Sequence, residues 1–255
     1  MQITQNLTVE GFNEFIRSLT NLKDICNDAD IRGGILRQRS NDHTSIFEFD
    51  LRTIFDEADI ALTNLKQKLE LLKTFQGQEV EITIEIPDDG TLGYYNFKDE
   101  YSSITFITPT IDFMDNKFMT EEELVSIFPS SEDTMIFEKD LSQILTERIK
   151  IISTQFSIST VLVEFNGETA TISAATPSKD QSAIFVDNIM MNEIIENTTT
   201  NISKIAFSMD HETDIKFTMF KDPDQHVALN KFSTNIGDID INIYSRSQIT
   251  TDDEG

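Results

Sequence analysis

Apolar positions near the start of the chain recur at helical spacing. Phe12, Phe15, Ile16 and Leu19 fall on one face, with Glu14, Arg17 and Asn21 opposite, which predicts a short amphipathic helix. Leu22-Lys23-Asp24-Ile25 then runs into the turn signal Asp30-Ile31-Arg32-Gly33-Gly34. Downstream, Ile46, Glu48 and Asp50 alternate with Phe47, Phe49 and Leu51, the period-two pattern of a strand. Leu62, Leu65, Leu69 and Leu72 form the buried stripe of a second helix that ends near Gln76-Gly77. Strands are expected at Glu79–Ile86, Leu92–Phe97 and Ser103–Thr108, the first two joined by the turn Pro87-Asp88-Asp89-Gly90.

Residues 109–131 break this pattern. Pro109, Pro129, the run Glu121-Glu122-Glu123 and Ser130-Ser131 read as a connector. Phe113, Met114, Phe118, Met119, Leu124, Ile127 and Phe128 punctuate it, so it is expected to pack along the surface. The order of the first half then returns. A helix is predicted from Asp140-Leu141-Ser142, with Leu141, Ile144, Leu145 and Ile149 on one side. Strands follow at Ser157–Phe165 and Thr169–Ala175, turned by the hairpin signal Asn166-Gly167, and at Ser182–Asp187. A further helix is expected over Ile189–Asn197, then strands at Ile202–Met209, Asp214–Phe220, about His226–Phe232, and Asp238–Ser245. Helix, strands, helix, strands thus occurs twice, an α+β repeat. The boundaries drawn are a first domain at 1–110, a connector at 111–131, a second domain at 132–247 and an acidic tail at 248–255.

Composition changes the picture in one respect. Apolar residues make up 38% of 255 positions, with 19 Phe and no Trp, so each half has enough to build a core. Yet 45 acidic side chains stand against 20 basic ones, a net charge of -25, which repels free nucleic acid and anionic membrane. Cys26 is the single cysteine, so neither an internal disulfide nor a cysteine-based zinc site is available, as suits a reducing intracellular compartment. The opening MQITQNLTVEGF does not read as a secretion signal, and no apolar run is long enough to span a bilayer. A soluble intracellular protein is expected.

The stretch Leu36–Leu51, with His43 inside it, resembles the strand–loop–strand of sliding clamps of the proliferating cell nuclear antigen type. So does Leu22-Lys23-Asp24-Ile25-Cys26-Asn27, and Leu62–Ile86 is similar to that family's second helix and following strand. Ile184–Tyr244, including Phe207-Ser208-Met209, resembles its last helix and final strands, and Asp252-Asp253-Glu254-Gly255 resembles its tail. These segments come in family order over nearly the whole chain, and their divergence points to a viral or phage member. Departures stand beside them. Arg39 replaces an apolar loop residue, Glu193 and Glu196 occupy the last inner helix without a base, and Asp214 stands where a proline beside the partner pocket is usual.

The resemblance implies a DNA-clamp fold of two similar domains, each with two helices packed on antiparallel sheets. It also implies a homotrimeric ring that encircles duplex DNA without sequence specificity and tethers a DNA polymerase, loaded by a clamp-loader ATPase. On that reading Arg17, Lys66, Lys73, Arg148 and Lys150 face DNA; without it they are ordinary solvated cations. Enclosure explains how an acidic protein holds DNA, since few salt-weakened contacts suffice when the ring cannot fall off. Ser103–Ile111, with Ile104 and Phe106, and Lys179–Asp187, with Ile184 and Val186, are the edges expected to join subunits; regular apolar edges left bare are aggregation hazards. Phe118, Met119 and Leu124 are expected to wall a partner groove opposite His43, Ile46, Ile241, Ile243 and Tyr244, though they equally serve to pin the connector.

Enzyme signatures are missing. His43, His211 and His226 are scattered, Asp210-His211-Glu212 reads as a polar turn, and Asp88-Asp89-Gly90 lacks the acids of a calcium loop. No phosphate loop and no GxSxG occur, so no catalysis, metal or cofactor is expected. Three alternatives stay open: a subunit of a specialised heteromeric clamp, a β-rich viral structural or assembly protein without DNA contact, and, last, an acidic hydrolase with carboxylates brought together by the fold.

Overall fold

The computed structural model describes residues 2–55, 59–87, 92–109, 118–158, 160–174, 185–222 and 227–251. They divide into two units, Met1–Thr120 with Asn235–Ile241, and Glu121–Thr234 with Asn242–Gly255. The expected turn at Asp88-Asp89-Gly90 and residues 252–255 of the expected acidic tail lie outside the described residues, while residues 248–251, drawn as tail, continue the last strand.

Unit 1 runs β1 (Gln2–Leu7), α1 (Val9–Leu22), β2 (Ala29–Arg32), β3 (Ile35–Arg39), β4 (Ser45–Asp50), β5 (Ile60–Leu62), α2 (Leu65–Leu72), β6 (Val80–Glu85), β7 (Leu92–Lys98) and β8 (Ser103–Pro109). Antiparallel ladders order it as β1-β6-β7-β8 and β5-β2-β3-β4. Thr8 caps α1, its hydroxyl accepting from the Gly11 amide at 3.1 Å. Phe12, Phe15, Ile16, Leu19 and Leu22 form the buried stripe of that helix. Phe15 meets Phe55 edge-on at 4.8 Å, and Phe12 meets Phe75 at 6.5 Å. The β2–β3 hairpin turns on Gly33 and Gly34, at φ 53° and 72°. A side chain on Gly34 would come within 2.5 Å of the Phe55 carbonyl oxygen.

Unit 2 runs α3 (Glu121–Ile127), β9 (Met135–Leu141), α4 (Gln143–Gln155), β10 (Thr160–Ala174), β11 (Phe185–Ser203), α5 (Ile205–Ser208), β12 (Ile215–Lys221), β13 (Val227–Ile236) and β14 (Ile239–Thr251). Its sheet β9-β12-β13-β14 repeats the plan of β1-β6-β7-β8. Phe137, Phe217, Phe232 and Phe207 fill its core, Phe217 stacked on Phe232 at 4.5 Å. Both units are therefore α+β with antiparallel sheets, the expected class.

Several expected elements differ. The helix over Ile189–Asn197 is strand instead, part of β11, which pairs with β10 along most of its length. Its β-branched Ile189, Ile195 and Thr198–Thr200 suit a ladder, and the helical spacing was too short to outweigh that pairing. Helix appears at Ile205–Ser208, inside the segment read as the strand Ile202–Met209. Asn166-Gly167 makes no hairpin; β10 continues through it, with register shifts between Phe165 and Gly167 and between Gly167 and Thr169. Leu141 ends β9, so α4 begins after Ser142, whose hydroxyl accepts from the Leu145 amide. The helix buries Thr146, Ile149, Ile152 and Ser153 and leaves Ile144 66% exposed.

Candidate functional site

The five cations expected to face DNA all stand on helices or at a helix end. Arg17 is on α1, Lys66 on α2, Lys73 in the 3-10 turn that follows α2, and Arg148 and Lys150 on α4. Carboxylates stand close to the three lysines. Lys66 Nζ lies 3.3 Å from Asp24, Lys73 2.8 Å from Glu70, and Lys150 4.0 Å from Glu147. The Lys73 ammonium holds the Glu70 carboxyl below its ordinary range. Such pairs at the protein surface are weak, so a stronger anion can displace the carboxylate. Lys66 also borders a cleft of about 760 Å³ in unit 1, shared with Lys23, Asn27, Asn64, Gln67 and Leu71, with the acids Asp28 and Glu70 and the thiol of Cys26 in its wall. That thiol is buried, and burial first, then Asp28 and Asp42, push its pKa up to about 12, which keeps it protonated and unreactive.

Of the eight groove candidates, unit 1 carries His43, Ile46, Phe118, Met119 and Ile241, while unit 2 carries Leu124, Ile243 and Tyr244. In unit 1 the loop after β3 is pinned by Asp42, whose carboxylate accepts from the Ser40 hydroxyl at 2.5 Å and from the Thr44 amide and hydroxyl at 3.1 and 2.8 Å. Those bonds, Ser40 first, hold the Asp42 carboxyl below its ordinary range. They also set His43 in the left-handed region at φ 59° with an exposed ring. The end of the connector is tied down by backbone: the Met119 amide donates to the Arg37 carbonyl at 2.8 Å and the Phe118 amide to Asp30 Oδ2 at 3.3 Å. Asp30 is fully buried and also accepts from Arg32 at 2.7 Å.

In unit 2, Tyr244 packs against Phe128 at 5.1 Å, Phe128 against Phe220 at 6.1 Å, and Lys231 Nζ lies 5.7 Å over the Tyr244 ring. Arg246 donates to the Ile127 carbonyl at the end of α3 and faces Asp222 at 3.9 Å. Phe128 was legible only as one more connector residue, and Phe220, Lys231 and Arg246 carried no signal, since a strand residue shows its face but not its neighbour. Except for His43 and the half-buried Phe118, the candidates are buried, so the sequence expectation of a bare apolar patch does not hold for these side chains. Asp214 supports the start of α4, where its Oδ1 accepts from the Gln143 amide at 3.0 Å. His211 Nε2 lies 3.1 Å from the Thr146 hydroxyl in the same turn.

Of the expected subunit edges, β8 is the end strand of its sheet. Phe106 is buried against Phe97 at 5.7 Å, Ile104 is half-buried, and Ile107 is 57% exposed. Ile184 and the side chain of Val186 lie outside the described residues, as do those of Glu193 and Glu196; the backbone of Val186 pairs with Ser173. Among the described residues no group of three His, Cys, Asp or Glu could hold a metal ion, and no helix is long and apolar enough to cross a membrane.

By sequence the chain matches no protein-family model and no curated protein. By structure it is similar to the crystal structure of the proliferating cellular nuclear antigen from Entamoeba histolytica, with a TM-score of 0.62 and 13% identity, covering 96% of this chain and 98% of that one. The chain therefore has the sliding-clamp fold.

Proposed function

We propose that the protein is a DNA sliding clamp, a non-enzymatic processivity factor that encloses duplex DNA and tethers a DNA polymerase. The observation that carries this reading is a likeness that runs almost end to end over both chains, so both units and the connector are accounted for together. Cations on α1, α2 and α4 support it, because surface lysines in weak ion pairs can exchange a carboxylate for a phosphate while the acidic remainder of the surface repels nucleic acid. The end position of β8 supports assembly by strand addition between copies, with a homotrimer as the expected closed ring. Polymerase and clamp loader are expected to engage unit 1 at the exposed His43 and the half-buried Phe118, the two groove candidates that are not buried.

The test is polymerase processivity on primed circular DNA, with the loader present. Reversing Lys66, Lys73 and Lys150 to Glu should abolish stimulation, about a tenfold loss or more, while leaving the particle's mass by light scattering unchanged. Full stimulation by that variant would overturn the proposed lining. A pure chain that stays monomeric yet assembles with other chains would favour the reading as a subunit of a heteromeric clamp.

A further inference from the structure

Helix α3 is short and is held by little. Its seven residues fall below the length at which a helix persists alone in water, so docking sustains it. Two side chains one helical turn apart make that dock. Leu124 and Phe128 are buried, while Glu121, Glu122, Glu123, Val125 and Ser126 face solvent. Phe128 enters an aromatic pocket on the sheet of unit 2, edge-on to Tyr244 at 5.1 Å and to Phe220 at 6.1 Å. At the rim, Lys231 lies over the Tyr244 ring, and Arg246 donates to the Ile127 carbonyl while facing Asp222. Lys231 and Phe232 are neighbours on β13 and so point to opposite faces of the sheet. The pocket is on the Lys231 side, away from the core built around Phe217 and Phe232. Its occupant can therefore leave without opening that core.

We propose that α3 with Phe128 is a displaceable plug, and that the pocket beneath it, walled by Tyr244 and Phe220, takes a short amphipathic helix of a partner protein. The resident occupant is the template for the guest. It offers an aliphatic and an aromatic side chain four residues apart, Leu124 and Phe128, on a helix whose last carbonyl meets Arg246. A guest of that pattern exchanges one aromatic ring for another. Arg246 gives up the Ile127 carbonyl and meets the guest's, with Asp222 beside it at 3.9 Å throughout. Because the plug is joined to its own pocket, it competes as if present at about millimolar concentration, so a weak guest is refused. The unit thus hides its aromatic surface until a guest of sufficient affinity, or one held close by, arrives. That the guest belongs to a partner of a clamp rests on the function proposed above; the plug and its pocket rest on unit 2 alone.

The probe is a fluorescent synthetic peptide with the sequence of residues 120–131, titrated into the full chain and read by anisotropy. Phe128→Ala empties the pocket from within and should bind the peptide about tenfold or more tightly than the unaltered chain. Adding Tyr244→Ala should remove the gain. Equal affinity of the unaltered and Phe128→Ala chains would overturn the proposal, and so would a gain that survives Tyr244→Ala. Hydrogen exchange on the unaltered chain needs no variant. The Phe128 amide donates to the Leu124 carbonyl inside the plug at 2.7 Å, so peptides covering α3 should exchange about a hundredfold faster than those covering β12 and β13. Equal protection of the two regions would mean that α3 opens only with the whole unit, which also overturns the proposal. None of these readouts uses DNA or a polymerase, so failure of the clamp reading would show separately, in the processivity assay.

Discussion

Each unit carries a two-residue turn signal in the first strand region after its long helix, and the two resolve differently. At Gly33-Gly34 both residues take positive φ, and β3 doubles back on β2 with Ile31 opposite Leu36 and Arg32 opposite Ile35. At Asn166-Gly167 only Gly167 is at positive φ, 66°, and the strand runs on to Ala174 with a local register shift. A two-residue hairpin turn of type I′ needs positive φ at both centres. Two glycines meet that demand without penalty, whereas Asn bears part of the steric cost of the left-handed region. Given a long partner in β11, the second unit keeps its ladder, and the irregularity falls in that partner: between the pairs Phe165–Thr198 and Thr169–Met190, β10 advances 4 residues and β11 advances 8. A turn signal is thus a permission, and the partner strand decides whether it is used.

Substituting the glycines breaks or upholds that comparison. Gly34→Ala adds a methyl group that meets the Phe55 carbonyl at 2.5 Å on a left-handed backbone, so urea unfolding should show a loss of about 3 kcal/mol or more. Gly167→Ala meets nothing within 4 Å and should cost about 1 kcal/mol, the backbone penalty alone. Equal losses would contradict the account. The helix caps offer a finer contrast. Thr8→Ala removes the hydroxyl that caps α1 and should cost about 1 kcal/mol. Ser142→Ala should cost about half as much, because Asp214 continues to accept from the first amide of α4. A separate contrast is in pH. Burial gives Lys68 a folded pKa of about 8, below the ordinary 10.5, so between those values the unfolded chain binds more protons and stability rises with pH. Unfolding midpoints should therefore climb from about pH 8 to about 9, above which Cys26, whose buried thiol keeps its proton in the fold, opposes the rise, and Lys68→Met should remove the climb.

Much of the fold was legible in the chain because its signals are local. The stripe Phe12, Phe15, Ile16 and Leu19 and the alternation over Phe47–Leu51 report directly which side is buried, and both elements are present. What escaped depends on remote partners. In β1, Gln2, Thr4 and Asn6 leave only Ile3 and Leu7 as apolar marks, and the strand exists through pairing with the distant β6. β9, hidden between the connector and α4, is held in the same way by β12. The site divides along the same line. Candidate cations on helices could be named from spacing, whereas the aromatic cluster of Phe128, Phe220 and Tyr244 joins three stretches far apart in the chain, so Phe128 and Tyr244 could be named but their meeting could not.

The stretch Asn235–Ile241 belongs to unit 1, although it follows nearly all of unit 2 along the polypeptide. On the ribosome, the amino-terminal unit therefore emerges incomplete and has to wait until most of the second has been synthesised before its last piece arrives. A fragment ending at Thr120 would lack that piece for good, so truncation at the apparent domain boundary should yield an amino-terminal product prone to degradation, while co-expressing the remainder should rescue it.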